Sequence, residues 1–187
     1  MNKVKNYLFL LGVAGIVIAL DQWTKWWVRQ NIGFGEILVP FDWMAPYARF
    51  IHWNNTGAAF GMFPAGATVF KIIAVIVIAA ILYYYPMVPY EKWLYKIALG
   101  MQLGGATGNL IDRLTQGGPV TDFISVGNFA VFNLADSGIS VGVALLVLAM
   151  WLDERKAARQ ETVQEAIFEH DSELAENSGA SPQEIES

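Results

Sequence analysis

The chain contains no cysteine and only two histidines among its 187 residues. The lack of cysteine excludes disulfides, thiolate metal ligands and a cysteine nucleophile. The two histidines, His52 and His170, are too few and too far apart to indicate a zinc site. Any chemistry must therefore come from carboxylates, amides, hydroxyls, lysine or arginine.

Acidic residues are scarce outside the C-terminal end of the chain. Residues 153–187 hold ten acidic and three basic residues, whereas residues 1–152 hold seven acidic and nine basic ones. The net charge of −5 therefore reflects the C-terminal tail and says nothing about a substrate. We expect residues 153–187 to form an acidic cytoplasmic tail, with a charged helix over 153–176 and disorder over 177–187.

Long apolar runs dominate the remaining sequence. Hydrophobic residues make up 55% of the chain, more than a soluble domain of this size usually holds. Four runs reach the roughly 20 residues that a bilayer crossing needs, at 7–28, 65–85, 93–113 and 131–152. The first run could be a cleaved signal peptide, but its end, Leu20-Asp21-Gln22-Trp23, lacks a small-residue cleavage site. We therefore predict an all-α membrane domain over 1–152, built as a bundle of four transmembrane helices.

Basic residues next to these runs indicate the orientation. They precede the first run, border the loop between the second and third, and follow the fourth: Lys3, Lys5, Lys92, Lys96, Arg155, Lys156 and Arg159. Four crossings bring all three places to one side, which the positive-inside rule makes cytoplasmic. Both termini are then cytoplasmic, and the loop 30–64 is extracytoplasmic. The glycines, prolines and short apolar runs of this loop predict a small β-sheet between the first two helices.

Ten polar residues are expected to meet at the outer ends of the four predicted helices. They are Asp21, Lys25, Asn54, Asn55, Asn109, Asp112, Arg113, Asp122, Asn133 and Asp136. Ionisable groups in a membrane segment are costly, and the inner ends of the runs carry no comparable set. A cluster of this size at one depth therefore predicts a functional site, although it does not define the chemistry.

Each charged member of this cluster also has a structural interpretation. Asp21 and Lys25, four residues apart, could simply pair with each other. Asp112 and Arg113 could together hold a helix end. Asp122 lies in a short connection, where a carboxylate is usually only solvated.

A stripe of glycines on the third run has two interpretations as well. Gly100, Gly104 and Gly108 recur at intervals of four residues, which lets two helices approach closely. The stripe could pack the bundle against itself, or it could admit a substrate helix.

Five motifs give the sequence a specific resemblance. They are Asp21-Gln22-x-x-Lys25, Asn55-Thr56-Gly57-Ala58-Ala59-Phe60-Gly61, Gly104-Gly105-Ala106-x-Gly108-Asn109-x-x-Asp112-Arg113, Val120-x-Asp122-Phe123 and Phe132-Asn133-x-Ala135-Asp136-Ser137. In this order and spacing they resemble the lipoprotein signal peptidase (signal peptidase II) family over residues 7–152. The acidic tail lies outside the resemblance.

The resemblance implies an activity and a set of site residues. It implies a protease of the bacterial cytoplasmic (inner) membrane that cuts prolipoproteins just before a diacylglyceryl-modified cysteine, with Asp122 and Asp136 as the catalytic pair. Residues that support this pair or hold substrate would be Asn55, Asn109, Arg113 and Asn133. Residues of structural importance would be Asp21, Lys25, Gly105 and Asp112. We expect a monomer in contact with membrane lipid that needs no metal, no cofactor and no nucleic acid.

The chemistry available to the chain agrees with this implication. Without a metal, a serine triad or a thiol, peptide hydrolysis requires two carboxylates that share one proton and activate a water molecule. Two other functions compete with it. Intramembrane charges could serve a small proton-coupled transporter, although the polar residues do not form a path across the bilayer. They could also be interhelical contacts in a purely structural membrane protein.

Overall fold

The computed structural model describes residues 3–57 and 66–178. The helices are α1 (Lys3–Asn31), α2 (Gly66–Tyr84), α3 (Trp93–Thr115) and α4 (Leu134–Ser178), and the strands are β1 (Ile37–Leu38), β2 (Ala48–Asn55) and β3 (Val120–Val126). Short 3-10 helices cover Asp42–Met44 and Tyr85–Met87. Residues 58–61 of the second motif and residues 179–187 of the tail lie outside the described residues.

Three described helices are long and apolar enough to cross a membrane. They comprise Val4–Asn31, Ala67–Met87 and Leu134–Ser172. Helix α3 does not meet the same criterion because its glycines, amides and charged residues lower its mean hydropathy. The first, second and fourth predicted spans thus each have an apolar helix as counterpart. The third predicted span, at 93–113, stays a prediction.

Glycines allow helix α3 to pack closely against α1. A Cβ atom at Gly100 would lie 2.7 Å from Val13 Cβ, and one at Gly104 would lie 2.6 Å from Val17 Cβ. The glycine stripe of α3 therefore serves the packing of the protein itself. Because α1 occupies this face, the stripe leaves no room for a substrate helix.

The three strands form one antiparallel sheet in the order β1-β2-β3. The expected sheet between the first two helices is thus joined by a strand from the connection between α3 and α4. Trp53 of β2 lies opposite Asp122 of β3. Asp122 is consequently only 1% exposed, and the interpretation as a solvated loop carboxylate is wrong.

Strand β3 is buried because apolar side chains cover it. Phe123 packs in a cluster with Val28 and Ile32 of α1, and Phe50 of β2 lies against that cluster. A strand enclosed in this way holds its polar side chains out of water, which is the basis of the site described below.

Helix α4 continues well beyond the predicted end of the fourth span at residue 152. No glycine or proline interrupts the sequence between 152 and 178, so nothing local stops the helix. The chain divides into two compact units, Met1–Leu146 and Val147–Ser187. The site lies entirely within the first unit.

Candidate active site

The base of the site is a group of fully buried charges. Lys25 Nζ lies 2.9 Å from Asp21 Oδ2 and 3.5 Å from Asp112 Oδ2, and both carboxylates and the ammonium are 0% exposed. Arg29 Nη1 lies 3.6 Å from Asp112 Oδ1. The expected pair of Asp21 and Lys25 therefore forms. Asp112, however, pairs with cations of α1 and not with Arg113.

These charges connect the elements that carry the site. Asp112 Oδ2 accepts a hydrogen bond of 2.9 Å from the backbone N–H of Thr121 in β3. Asp21 Oδ1 accepts one of 2.9 Å from the backbone N–H of Ala135 in α4. Arg29 Nη1 donates to Thr121 Oγ1 over 2.9 Å. Helices α1, α3 and α4 and strand β3 are thereby held in register around one polar centre.

Two asparagines link this base to the two candidate catalytic carboxylates. Asn109 Oδ1 accepts hydrogen bonds from Lys25 Nζ at 3.0 Å and from Asn133 Nδ2 at 3.1 Å. Its amide nitrogen therefore faces the other way and donates to Asp136 Oδ1 over 2.7 Å. Asn133 Nδ2 also donates to Asp122 Oδ1 over 2.7 Å. Asp122 and Asp136 are thus parts of one network.

The start of helix α4 holds Asp136 in place. The backbone N–H of Asn133 donates to Asp136 Oδ2 over 3.1 Å, and the backbone N–H of Asp136 donates to Asn133 Oδ1 over 3.0 Å. This reciprocal arrangement is a capping box, in which the residue before a helix and the third residue within it satisfy each other's backbone N–H groups. The local sequence therefore orients one candidate catalytic carboxylate.

Asp122 is the more enclosed of the two carboxylates. Asn55 Nδ2 donates to its Oδ2 over 2.8 Å, while Asn133 holds its Oδ1. Burial raises the pKa of the Asp122 carboxyl to about 6, and the nearby negative charge of Asp136 acts in the same direction. The hydrogen bonds from Asn55 and Asn133 oppose this shift because they stabilise the ionised form.

A cavity of about 500 Å³ opens beside the network. Its polar wall is formed by Asn55, Asn109, Arg113 and Asp136, and also by Gln102. Its apolar wall comes from α2 and α4 through Phe70, Ile73, Ala74, Val77 and Ile139. Asp136 lines this cavity, whereas Asp122 lies behind Asn55 and is not part of its wall.

The cavity contains hydrogen-bond donors without a partner. Three buried side-chain atoms in the described part of the chain lack a partner: Tyr85 Oη, Gln102 Nε2 and Arg113 Nε. Two of them, on Gln102 and Arg113, belong to residues of the cavity wall. Arg113 Nη1 donates to the backbone oxygen of Asn109 over 3.3 Å, and its guanidinium lies 5.4 Å from the centre of the Phe70 ring. Two residues of the cavity wall therefore carry buried N–H groups that have no acceptor among the described residues, and a buried donor without an acceptor costs free energy.

Gln102 of the cavity wall is a site residue that the sequence analysis missed, as it missed Arg29 and Thr121 at the base of the site. It precedes Asn109 by seven residues and therefore lies on the same face of α3. An amide in an otherwise apolar part of the run was the available signal. Asn54, in contrast, was expected in the polar cluster but is exposed opposite Thr121 in the sheet.

Gly105 lies where α3 packs against the start of α4. A Cβ atom at this position would collide with the backbone oxygen of Ala135 and would lie 2.7 Å from Ile139 Cγ1. Only glycine therefore lets α3 approach the start of α4 closely enough for the asparagine network to form. Among the described residues, no group of three or more histidine, aspartate or glutamate side chains is placed to hold a metal ion.

Known proteins resemble this chain in sequence and in fold. The family described as signal peptidase (SPase) II matches residues 13–152. The lipoprotein signal peptidase of Halalkalibacterium halodurans is 40% identical over 152 residues, which are 79% of this chain and 95% of that protein. The lipoprotein signal peptidase of Bacillus subtilis is 38% identical over 153 residues, covering 80% and 97% of the two chains.

Solved structures agree with the sequence relatives. A bacterial membrane enzyme determined by the in meso method at 2.3 Å resolution superposes with a TM-score of 0.69 at 30% identity. The match covers 78% of this chain and 88% of that one. The resemblance carried by the five motifs is thereby confirmed, and the chain belongs to the signal peptidase II family of lipoprotein-processing membrane proteases.

Proposed function

We propose that this chain is an intramembrane aspartyl endopeptidase that removes signal peptides from diacylglyceryl-modified prolipoproteins, cutting just before the lipidated cysteine. The observation that supports it best is the hydrogen-bonded connection of Asp122 and Asp136 through Asn133 and Asn109. Asp122 is buried and Asp136 is half-buried, and the negative charge of Asp136 raises the pKa of Asp122. Two carboxyls coupled in this way favour a state with one proton between them, which is the state that peptide hydrolysis by an aspartyl pair requires.

In the proposed mechanism the pair works as an acid and a base at once. The ionised carboxylate takes a proton from water, and the water oxygen attacks the scissile carbonyl carbon. The protonated carboxyl gives its proton to the carbonyl oxygen. Collapse of the tetrahedral intermediate breaks the C–N bond, and a proton passes to the leaving nitrogen. The products are a signal peptide with a new carboxylate and a lipoprotein with a free amine on its cysteine.

We propose four membrane crossings, with both termini in the cytoplasm and the carboxyl pair toward the outer leaflet of a bacterial inner membrane. Helix α3 crosses the membrane together with the three apolar helices, because its buried polar residues face the site and its glycines face α1. The protein acts as a monomer surrounded by lipid, without a cofactor or nucleic acid. This orientation brings the pair to the depth at which a signal peptide helix ends.

The cavity suits an unwound peptide segment. A signal peptide helix satisfies its own backbone groups in lipid, so its cleavage region must unwind to expose a carbonyl. The freed carbonyls then need hydrogen-bond donors. Gln102 Nε2 and Arg113 Nε have no hydrogen-bond partner within the protein and can donate to these carbonyls. The apolar wall from α2 lies opposite and accommodates apolar parts of the substrate.

The direct test is cleavage of a diacylglyceryl-modified prolipoprotein by the purified protein in detergent. We expect a product mass that corresponds to a cut immediately before the lipidated cysteine. The matched control is the same prolipoprotein without the lipid, which should be cut poorly. A cut at another bond, or equal cutting of both substrates, would contradict the proposed specificity.

Replacement of Gln102 by leucine is expected to raise KM about tenfold with little change in kcat, since one neutral hydrogen bond to substrate is lost. Gln102 lies about 10 Å along α3 from Asn109, at a rise of about 1.5 Å per residue. That length corresponds to about three residues of extended peptide. The contacted carbonyl should therefore lie about three residues before the scissile bond.

A modified substrate distinguishes this contact from a packing effect. Changing the backbone amide at that position to an ester weakens its carbonyl as an acceptor. The ester should raise KM for the wild type but have little effect on Gln102→Leu. Exposed Gln160 on α4 supplies the control variant, Gln160→Leu, which should behave as the wild type. Equal ester effects in all three proteins would rule out the contact.

The rate of cleavage is expected to fall as the pH rises above about 6, because burial raises the pKa of Asp122 to about that value. Below this pH the pair keeps its shared proton, and above it the acid that polarises the carbonyl is lost. Asn55→Ala removes a hydrogen bond to the ionised carboxylate, so the pKa should rise further and the fall should move to higher pH. The profile of kcat/KM against pH measures both effects. An unchanged profile in Asn55→Ala would refute the assignment.

A further inference from the structure

A buried lysine of α3, Lys96, lies beside the start of α1, at the opposite end of that helix from Asp21. Lys96 is only 2% exposed. Its Nζ donates to Asn6 Oδ1 over 2.8 Å and lies 4.4 Å from the centre of the Tyr90 ring. No carboxylate in the described part of the chain lies within 4.0 Å of it. A buried lysine is normally paired directly with an acid, whereas this ammonium has the carboxylate of Glu91 as a counter-charge only at a distance beyond 4.0 Å.

A second cavity, of about 410 Å³, lies beside this ammonium. We call this cavity the lysine recess. Its wall is formed by Lys5, Asn6, Phe9, Tyr90, Glu91, Trp93 and Lys96. The wall holds two ammonium groups and one carboxylate and is therefore positive overall. Lys96 uses one of its three N–H donors on Asn6, which leaves donors for a ligand.

The position of the lysine recess fits a membrane surface. Lys5 precedes Asp21 by 16 residues on α1, which is about 24 Å along a helix. This separation approaches the thickness of the hydrocarbon core, about 30 Å. Phe9, Tyr90 and Trp93 are exposed at the recess, and such aromatic side chains favour the interface between membrane and water.

We infer that the lysine recess binds the phosphate of an anionic phospholipid such as phosphatidylglycerol. Basic recesses between transmembrane helices on the cytoplasmic side are suited to anionic headgroups. The ammonium groups of Lys5 and Lys96 contact the phosphate, and the carboxylate of Glu91 accepts hydrogen bonds from headgroup hydroxyls. Glu91 also disfavours free inorganic phosphate, which carries more negative charge at neutral pH than the phosphodiester of a phospholipid.

Retention of lipid by the delipidated full chain tests this site. Native mass spectrometry in detergent compares phosphatidylglycerol, zwitterionic phosphatidylcholine and inorganic phosphate, each added separately. We expect phosphatidylglycerol to be retained best. The preference over phosphatidylcholine should drop about fivefold in Lys5→Gln, since one surface cation is removed. Lys96→Gln should abolish it.

The control variant is Lys71→Gln on α2, which removes a positive charge away from the recess and should keep the full preference. Lys5 is exposed, so Lys5→Gln remains informative even if Lys96→Gln fails to fold. An equal loss in Lys71→Gln would show only general attraction of charge and would overturn the site. Inorganic phosphate bound as firmly as phosphatidylglycerol would overturn the lipid assignment.

Discussion

Replacing Asp136 by asparagine should reduce cleavage of a prolipoprotein by at least about 1,000-fold, because removing one member of a catalytic unit removes most of its effect. Asparagine keeps the size of the side chain and can still accept the hydrogen bond that Asn109 donates. The fold should therefore persist. Asp122→Asn should have the same effect, since in the proposed mechanism the two carboxyls share one proton and neither works alone.

Cleavage assays on folded protein measure this result. Asp42→Asn is the matched control, because Asp42 is exposed in a short helix of the outer loop. It should cleave as the wild type does. Normal cleavage by Asp122→Asn and Asp136→Asn would assign both aspartates a structural role and require another catalyst. Inactivity of the wild type on a substrate that a relative cleaves would favour the transporter function.

The second large effect concerns stability. Lys25→Met should lower the free energy of unfolding by about 3–5 kcal/mol, because it leaves buried carboxylates without their counter-charge. Lys25 contacts both Asp21 and Asp112 and also holds the amide of Asn109. The variant should therefore lose activity together with stability. Thermal unfolding in detergent, followed with and without a bound substrate peptide, measures the change.

A second substitution identifies the cause of this loss. The double variant combines Lys25→Met with Asp21→Asn. Of the two carboxylates that Lys25 contacts, only Asp112 then remains, and Arg29 still faces it. The double variant should therefore be more stable than Lys25→Met alone. Lys71→Met serves as the control for the loss of a lysine at a partly exposed position. If the double variant is the less stable of the two, charge imbalance is not the source of the effect.

The sequence was sufficient to predict the helices and most of the polar cluster. Apolar runs of about 20 residues and the parity of the spans placed Asp21, Asn109 and Asp136 together. These predictions depend only on local composition and on the length of a helix. The contact of Asp21 with the start of α4 follows from them, although the hydrogen bond to Ala135 needed the structure.

Strand β3 could not be predicted because its partner is distant in the sequence. Trp53 and Asp122 pair across 69 residues, and no turn motif connects their strands. Short-range hairpin signals cannot report such a pairing. The orientation of the amide side chains also depends on tertiary contacts. The amide nitrogen of Asn109 faces Asp136 because Lys25 and Asn133 donate to its amide oxygen.

The polar network also brings positive and negative groups together in nearly equal number. Three cations, Lys25, Arg29 and Arg113, face the four carboxyl groups of Asp21, Asp112, Asp122 and Asp136. If Asp122 and Asp136 hold one proton between them, as we propose, the positive and negative charges balance. The protein can therefore insert this many ionisable groups into lipid without a net charge, and an uncharged stretch of peptide can enter without a counter-ion. In the proposed mechanism, the proton that is passed to the scissile carbonyl oxygen is thus the same one that makes the site neutral before substrate binds.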